Sequence, residues 1–184
     1  MNITLIRHAE VEEQYIGCFN GHIDIDLSKQ GRVEAKNLAN TFYHDEFDGV
    51  FCSDLKRAKN TLKYFSQAKN AVYTEKIREK SLGEHEGKKF EELGIKYENF
   101  GQFINSLDGE RFDDFVSRIK EFFYDYLPTL QKENILVITH AGVIRTLLCF
   151  YENITIEKAF GVDIPYGSIT RIKIWKHLIF LQIK

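Results

Sequence analysis

Proline, cysteine and long apolar runs are scarce in this chain of 184 residues. It has two prolines and three cysteines, Cys18, Cys52 and Cys149. Because the cysteines are few and odd in number, they do not form a disulfide framework. No stretch reaches the roughly 20 apolar residues that span a membrane. The opening residues, MNITLIRHAE, pass from a short apolar run straight into charge, unlike a signal peptide. We therefore expect a protein of the reducing cytoplasm with no membrane association.

Basic charge is not in excess either. The chain carries 25 lysines and arginines against 27 aspartates and glutamates, a net charge of −2, which argues against a general nucleic-acid-binding surface. Its six histidines show no metal-ligand spacing, and no glycine-rich phosphate loop ends in Lys-Ser or Lys-Thr. The sequence therefore predicts neither a metal site nor a cofactor.

Apolar side chains, by contrast, are abundant. They make up 43% of the chain, with 15 phenylalanines and 9 tyrosines, which is enough for one compact domain over residues 1–184. The spacing of Phe115, Phe122, Phe123 and Tyr126 predicts the buried face of a long helix.

Short apolar runs alternate with helical periodicity along the chain. The predicted strands cover residues 3–6, 49–52, 71–74, 135–139, 167–175 and 178–183. The predicted helices cover residues 28–43, 53–67, 88–93, 113–131 and 142–151. Ser28 and either Ser53 or Asp54 are the predicted N-caps of the first two helices, and the remainder of 76–110 is predicted to be irregular. This alternation predicts a mostly parallel sheet with helices on both faces.

Charged and polar residues stand at the carboxyl ends of three predicted strands. Arg7 and His8 follow the first strand, the segment 53–57 with Arg57 follows the second, and His140 follows the run ILVIT. In open parallel sheets, ligands bind beyond the carboxyl ends of the strands. We therefore expect these separate segments to meet at one edge of the sheet.

The residue types expected at that edge suit phosphoryl transfer. Two guanidinium groups pair well with a dianion that has several acceptor oxygens, and the helices that follow can direct N–H groups the same way. A neutral imidazole is a competent nucleophile, and phosphoryl transfer mainly needs positioning and charge stabilisation. Each residue taken singly also fits a structural role, but their joint placement favours a catalytic one.

Four segments of the chain read LIRHAE, SDLKRAKNT, REKSLGEHEG and VITHAGVIR, with GHIDIDLSKQG between the first two. In this order they resemble the motifs of the histidine phosphatase superfamily, the phosphoglycerate-mutase-like family. The resemblance runs from residue 3 to about residue 151. It implies a three-layer α/β/α sandwich, a phosphohistidine intermediate and catalysis without a metal.

The resemblance also implies a role for each matching residue. His8 is the expected nucleophile, with Arg7 as its partner in phosphate binding, and Arg57 and His140 complete the catalytic phosphate pocket. Glu79 is the expected acid that protonates the leaving group. Glu84, close by in sequence, is the competing candidate for that role and is placed second.

The chain departs from the family pattern in two places. Ala9 stands where the family has glycine, and its methyl group is expected to crowd the backbone beside the phosphate without abolishing activity. A serine or threonine and an asparagine that commonly assist phosphate binding are replaced by Val11 and Gln14. The possible further substrate contacts are Gln14, Asn20, Gly21 and His22.

The sequence thus predicts a phosphatase that acts on a small phosphorylated metabolite. Phosphatases and mutases of the family share the phosphate-site residues, but the segment 86–111 leaves little room for the long insertion of phosphoglycerate mutases. Size and motif setting are most similar to alpha-ribazole phosphatases of cobalamin synthesis. A phosphoglycerate-type mutase and a catalytically idle domain that binds a phosphorylated ligand are the alternatives.

Overall fold

The computed structural model describes residues 1–93, 100–174 and 179–183. Its strands form one sheet in the order β3-β2-β4-β1-β5-β6. Their bounds are β1 Asn2–Arg7, β2 Gly49–Ser53, β3 Val72–Thr74, β4 Asn134–Thr139, β5 Ile169–Ile174 and β6 Ile179–Ile183. The first four strands are parallel, whereas β5 runs antiparallel to β1 and β6 runs antiparallel to β5. The predicted mostly parallel sheet is confirmed.

Six α-helices flank this sheet among the described residues. Their bounds are α1 Lys29–Thr41, α2 Lys56–Leu62, α3 Phe100–Ser106, α4 Phe112–Lys120, α5 Ala141–Glu152 and α6 Ile156–Phe160. No helix within the described ranges is long and apolar enough to cross a membrane.

Strand β4 shows how the sheet is covered on both faces. Ile135 and Val137 belong to one core cluster, together with side chains of α4 and α5. Leu136 and Ile138 belong to a second cluster, together with side chains of α1 and α2. All four residues are fully buried, as expected for a central strand with helices on either side. This arrangement confirms the three-layer α/β/α sandwich.

The predicted start of the first helix is confirmed and that of the second is wrong. The Ser28 hydroxyl caps α1 by accepting from the Gly31 N–H over 2.8 Å. Helix α2 begins only at Lys56, with Leu55 as an N-cap that makes no side-chain bond. Ser53 cannot serve as the cap because it is still the last residue of β2. Asp54 comes one residue before the N-cap position, and its carboxylate accepts from Arg78 instead.

The segment predicted as one helix over 113–131 contains an α-helix, a π-helix and a 3-10 turn in succession. After α4 the chain continues as a π-helix over Glu121–Tyr126 and a 3-10 turn over Leu127–Leu130. The wider π spacing shifts the register of the following side chains relative to an α-helix. Phe115, Phe122 and Phe123 are buried as predicted, but Tyr126 is 43% exposed, so its assignment to the core is wrong.

Two short helices were not predicted. Helix α3 lies within the segment expected to be irregular, and α6 follows α5 after a brief turn. With seven and five residues, neither has enough turns for its periodicity to show in the sequence. The predicted ends of the last two strands, at residues 175 and 178, lie outside the described residues.

Candidate active site

Parallel strands bring the candidate residues to the carboxyl edge of the sheet. β1 ends at Arg7, directly before His8, and β4 ends at Thr139, directly before His140. The His8 N–H donates to the Thr139 carbonyl over 2.9 Å, which fixes the two strand ends relative to each other. The ring centroids of His8 and His140 lie 5.1 Å apart. The separate segments therefore meet as expected.

The hydrogen bonds of His8 place the ring proton on Nδ1 and make Nε2 the acceptor. Nδ1 lies 2.9 Å from the Ala9 carbonyl oxygen, which can only accept, so Nδ1 is assigned the proton. Nε2 accepts from the Nε–H of Arg57 over 3.2 Å. Burial, and then the charges of Arg57 and Arg7, hold the pKa of His8 well below its usual value of 6.5. The imidazole is therefore neutral near pH 7, the form that acts as a nucleophile.

Arg57 is fully buried and ties a loop to the site. Its Nη1 donates to the Ile23 carbonyl over 2.9 Å, and its Nη2 donates to the carbonyls of Asn20 and Gly21 over 3.0 and 2.7 Å. Burial lowers the pKa of Arg57 to about 10, so the side chain stays charged at neutral pH. It thus holds a positive charge in direct contact with His8.

Arg7 is held by the segment that precedes β5. Its Nη1 donates to the Ile164 carbonyl over 2.6 Å, and its guanidinium carbon lies 3.9 Å from the ring centroid of Tyr166, a cation–π contact. The Tyr166 ring is also 5.6 Å from the ring of His8, and burial raises the pKa of its hydroxyl. Tyr166 is a site residue that the sequence does not predict, because it belongs to none of the four motifs.

His140 is paired with Ser53, the last residue of β2. Its Nε2 lies 2.7 Å from the Ser53 Oγ, which also accepts from the Leu55 N–H over 3.4 Å. We assign the Ser53 hydroxyl proton to the bond with Nε2, and the ring proton to Nδ1. Burial, followed by the charge of Arg57, lowers the pKa of His140 well below 6.5. The ring is therefore neutral, and with the assigned tautomer Nδ1 is its donor.

Two buried nitrogen atoms of the site have no hydrogen-bond partner among the described residues. They are Nε of Arg7 and Nδ1 of His140. Buried polar atoms in proteins are nearly always paired, so such donors mark where a ligand accepts. Both side chains lie near His8: the charge of Arg7 lowers the pKa of His8, and the His140 ring is in contact with the His8 ring. The pocket is thus suited to an anion with several acceptor oxygens.

The two candidate acids occupy different surroundings. Glu79 Oε2 accepts from the Gly142 N–H, in the first turn of α5, over 2.9 Å. Its negative charge acts on both site arginines. Glu84 is exposed in a short 3-10 turn. The structure therefore places Glu79 beside Arg7, Arg57 and the start of α5, and Glu84 at the surface.

The departures from the family pattern are accommodated by packing. The fully buried Ala9 packs in a small cluster with Leu27 and Ala35, so its methyl group is accommodated by apolar neighbours. Val11 is also fully buried and forms a β-bridge with Leu27. Gln14 is exposed in a 3-10 turn.

The other possible substrate contacts have structural partners. Asn20 Nδ2 donates to the Tyr15 carbonyl over 2.6 Å, and His22 Nε2 donates to the Glu79 carbonyl over 2.9 Å. Gly21 leaves no room for a side chain, because a Cβ would lie 2.5 Å from a backbone carbonyl oxygen. These residues shape the loop around Arg57 and Glu79, and their contact with substrate stays a prediction.

The fold and the site together define an α/β protein with an anion pocket and a neutral histidine at the carboxyl edge of its sheet. The model of the histidine phosphatase superfamily, branch 1, matches residues 3–182. The chain belongs to this superfamily, which confirms the resemblance seen in its motifs.

Several known proteins are similar to the chain over nearly its whole length. A probable phosphatase of Schizosaccharomyces pombe is 32% identical over 96% of this chain and 88% of its own. A putative phosphoserine phosphatase of Hydrogenobacter thermophilus is 29% identical over 92% of this chain and 88% of its own. The crystal structure of a putative alpha-ribazole-5′-P phosphatase from Escherichia coli has a TM-score of 0.84 and 26% identity, covering 100% of this chain and 95% of its own. Family and relatives together make the chain a phosphoric monoester hydrolase.

Proposed function

We propose that the protein hydrolyses a small phosphorylated metabolite through a phosphohistidine intermediate on His8, without a metal ion. One observation carries the proposal: His8 Nε2 has a lone pair in a buried pocket, with Arg57 donating to it and unpaired donors on Arg7 and His140 beside it. A phosphoryl group bound there meets a nucleophile and positive charge together. These are the main requirements of phosphoryl transfer.

In the first step, His8 Nε2 attacks phosphorus and the P–N bond forms as the bond to the ester oxygen breaks. As the phosphoryl group binds, the Nε–H of Arg57 gives up its bond to the Nε2 lone pair and donates to a phosphoryl oxygen instead. Arg7 and His140 donate to the other phosphoryl oxygens, where charge is spread in the transition state. Glu79 gives a proton to the departing oxygen, so that an alcohol leaves. The Nδ1 proton of His8 stays in its bond to the Ala9 carbonyl.

In the second step, water replaces the histidine. Glu79, now a carboxylate, takes a proton from a water molecule whose oxygen attacks phosphorus. The P–N bond breaks, its electron pair returns to Nε2 of His8, and inorganic phosphate leaves. One water is consumed for each ester cleaved, and both side chains return to their starting forms.

Glu79 suits the role of acid because its position is well determined. The Gly142 N–H binds its carboxylate, and its backbone carbonyl accepts from the His22 ring and from Arg118 Nη2, each over 2.9 Å. A side chain fixed in this way delivers a proton along a defined direction. No comparable contact supports Glu84 among the described residues.

For the natural substrate we propose alpha-ribazole 5′-phosphate, in line with the similarity to the putative alpha-ribazole-5′-P phosphatase. Phosphoserine is the comparison substrate, given the putative phosphoserine phosphatase among the relatives. Measured kcat/KM values on both esters decide between them. Conversion of 3-phosphoglycerate to 2-phosphoglycerate tests the mutase alternative, and release of p-nitrophenol from p-nitrophenyl phosphate tests the idle binding domain.

The covalent intermediate provides the direct test of the mechanism. Quenching the reaction of 32P-labelled substrate without acid should trap an acid-labile phosphoryl group on His8. His8→Ala removes the nucleophile, so its turnover should fall by roughly a thousandfold or more. Near-normal turnover by this variant, or label on another residue, contradicts the mechanism.

Independence from metal ions is tested separately. Arg7 and Arg57 supply the positive charge that a metal ion would otherwise bring to the phosphoryl group. We therefore expect kcat to persist in excess EDTA. Complete loss of activity, restored by one particular divalent ion, shows that the reaction class is a different one.

A further inference from the structure

A cavity of about 220 Å3 lies against the proposed acid. Glu79 and Gly142, which share a hydrogen bond, form part of its lining. Gly142 follows His140 closely at the start of α5, so this wall is continuous with the phosphate-binding residues. The cavity therefore adjoins the proposed acid.

The remaining walls of the cavity are mostly apolar. Its lining includes five phenylalanines, which are Phe19, Phe103, Phe112, Phe115 and Phe160. The rings of Phe19 and Phe103 are 5.8 Å apart, and those of Phe112 and Phe160 are 5.9 Å apart. These side chains come from the loop after β1 and from α3, α4 and α6. Separate parts of the chain thus converge to form one aromatic wall.

We infer that this cavity binds the leaving group of the substrate and selects esters whose leaving group carries an aromatic ring system. The inference rests on the proposed function, because the in-line attack of His8 places the leaving oxygen on the opposite side of phosphorus, at Glu79. Whatever is attached to that oxygen then enters the cavity that Glu79 lines. Aromatic groups stack well on aromatic walls in offset or edge-to-face contacts.

The size of the cavity fits one or two fused rings. A dry cavity of about 150 Å3 lined by apolar side chains holds a benzene molecule, and this cavity measures about 220 Å3. A second fused ring therefore has room, and burying it should raise kcat/KM by about tenfold or more.

Two cations in the lining give the rival reading, in which an anionic leaving group binds. Lys80 Nζ already donates to the Ser81 carbonyl over 3.1 Å, and Arg145 Nε donates to the Val162 carbonyl over 2.9 Å. Each cation thus gives one donor to a backbone oxygen, and the Arg145 guanidinium lies over the Phe160 ring, 5.9 Å from its centroid, whereas the rest of the lining is mostly aromatic and aliphatic. The aromatic reading is therefore favoured, and the anionic one becomes an outcome of the test.

The test compares three phosphate monoesters on the unmodified protein. 2-Naphthyl phosphate and phenyl phosphate release phenols of similar acidity, so the chemical step is matched and the extra ring is the main difference. Phosphoserine has a small, charged leaving group. We expect kcat/KM to be about tenfold or more higher for the naphthyl than for the phenyl ester, and lowest for phosphoserine.

Variants that fill the cavity test its location. Ile104→Phe and Leu107→Phe each add volume at the lining, so each should lower the naphthyl-to-phenyl ratio of kcat/KM by about tenfold. Ile154→Phe is the matched control, because Ile154 packs on the same core cluster but does not line the cavity; its ratio should stay unchanged. The ratio is unaffected by a loss of folded protein, which lowers both rates equally.

Each outcome separates the inference from the function on which it rests. Equal rates with the two aryl esters, a faster rate with phosphoserine, or wild-type ratios in both filling variants overturn the aromatic leaving-group site while leaving the phosphatase intact. Failure to hydrolyse any of the three esters overturns the proposed function, and the inference with it.

Discussion

The phosphate end and the leaving-group end of the site are built in different ways. The proposed phosphate end consists of buried polar residues at or just after strand ends, such as His8 and His140, which form hydrogen bonds to Arg57 and Ser53. The leaving-group end is a cavity whose aromatic walls come from helices and a loop. Parallel topology positions the first, while packing of distant side chains shapes the second.

This contrast has a kinetic consequence. Groups that bind the phosphoryl oxygens act on every ester alike, so substitutions there should lower all rates in proportion. Groups on the leaving-group side act on the departing oxygen and what it carries, so substitutions there should change the ratio between substrates. Glu79 lies at the boundary, since it contacts α5 beside His140 and also lines the cavity.

Replacing the acid should give the largest selective effect. Glu79→Gln keeps the shape of the side chain but cannot donate the carboxyl proton, so hydrolysis of an alkyl phosphate should fall by about 10²–10⁴-fold. p-Nitrophenyl phosphate should lose much less, because its phenolate departs without a proton. Rates on the two esters are measured side by side, with Glu84→Gln as the control. Equal losses on both esters argue that Glu79 is structural, and a selective loss in the control makes Glu84 the acid.

Displacing the acid without changing it should have a similar but smaller effect. A Cβ at Gly142 would collide with the Glu79 carboxylate, so Gly142→Ala should push that group away. A misplacement on the order of 1 Å costs up to about 10²-fold, and again the alkyl ester should suffer more than p-nitrophenyl phosphate.

The control for this change is a glycine with more room. At Gly161 a Cβ would meet its nearest neighbour at 3.4 Å, an ordinary contact, so Gly161→Ala should leave both rates unchanged. Proportional losses on the two esters in Gly142→Ala would show that the glycine serves the phosphate end instead.

The proposed phosphate end is also the part of the site whose assembly the sequence predicts well. His8 and His140 directly follow strands whose apolar runs are short and clear, and Arg7 is the last residue of the first of them, so the meeting of these residues follows from parallel topology. Tyr166 is not predicted as a site residue because it precedes an antiparallel strand and lies outside the four motifs. Its contact with Arg7 depends on tertiary packing that no local pattern shows.

The leaving-group end is poorly predicted for the same reason. Phe115 is buried as the helical pattern indicates, but the pattern does not distinguish a core residue from one that lines a cavity. Phe19 and Phe103 are 84 positions apart in the sequence, and their contact depends on α3, a helix too short to be predicted. Packing between distant side chains determines the walls of this cavity, whereas strand order determines where the polar residues of the proposed phosphate end lie.

The smallest effect is expected at Ser53, where the comparison predicts a proportional loss. Ser53→Ala leaves the fully buried His140 Nε2 without the hydroxyl that lies 2.7 Å away, so the ring proton divides between the two nitrogens and Nδ1 no longer always donates to phosphate. Turnover of alkyl and aryl esters should fall equally, by about tenfold, in keeping with the loss of one hydrogen bond in a buried site. Since the pKa of His140 is well below 6.5, its ring is neutral at pH 7, and the 15N shifts of the ring nitrogens report the tautomer rather than the charge. They should show mainly the Nδ1–H form in the wild type and a mixture in the variant.

Ser28→Ala is the control for this change. It removes an N-cap at a cost of about 1 kcal/mol and should leave the 15N shifts of the His140 ring unchanged. Unchanged shifts in Ser53→Ala, or an unequal loss on the two esters, would mean that Ser53 does not act through His140.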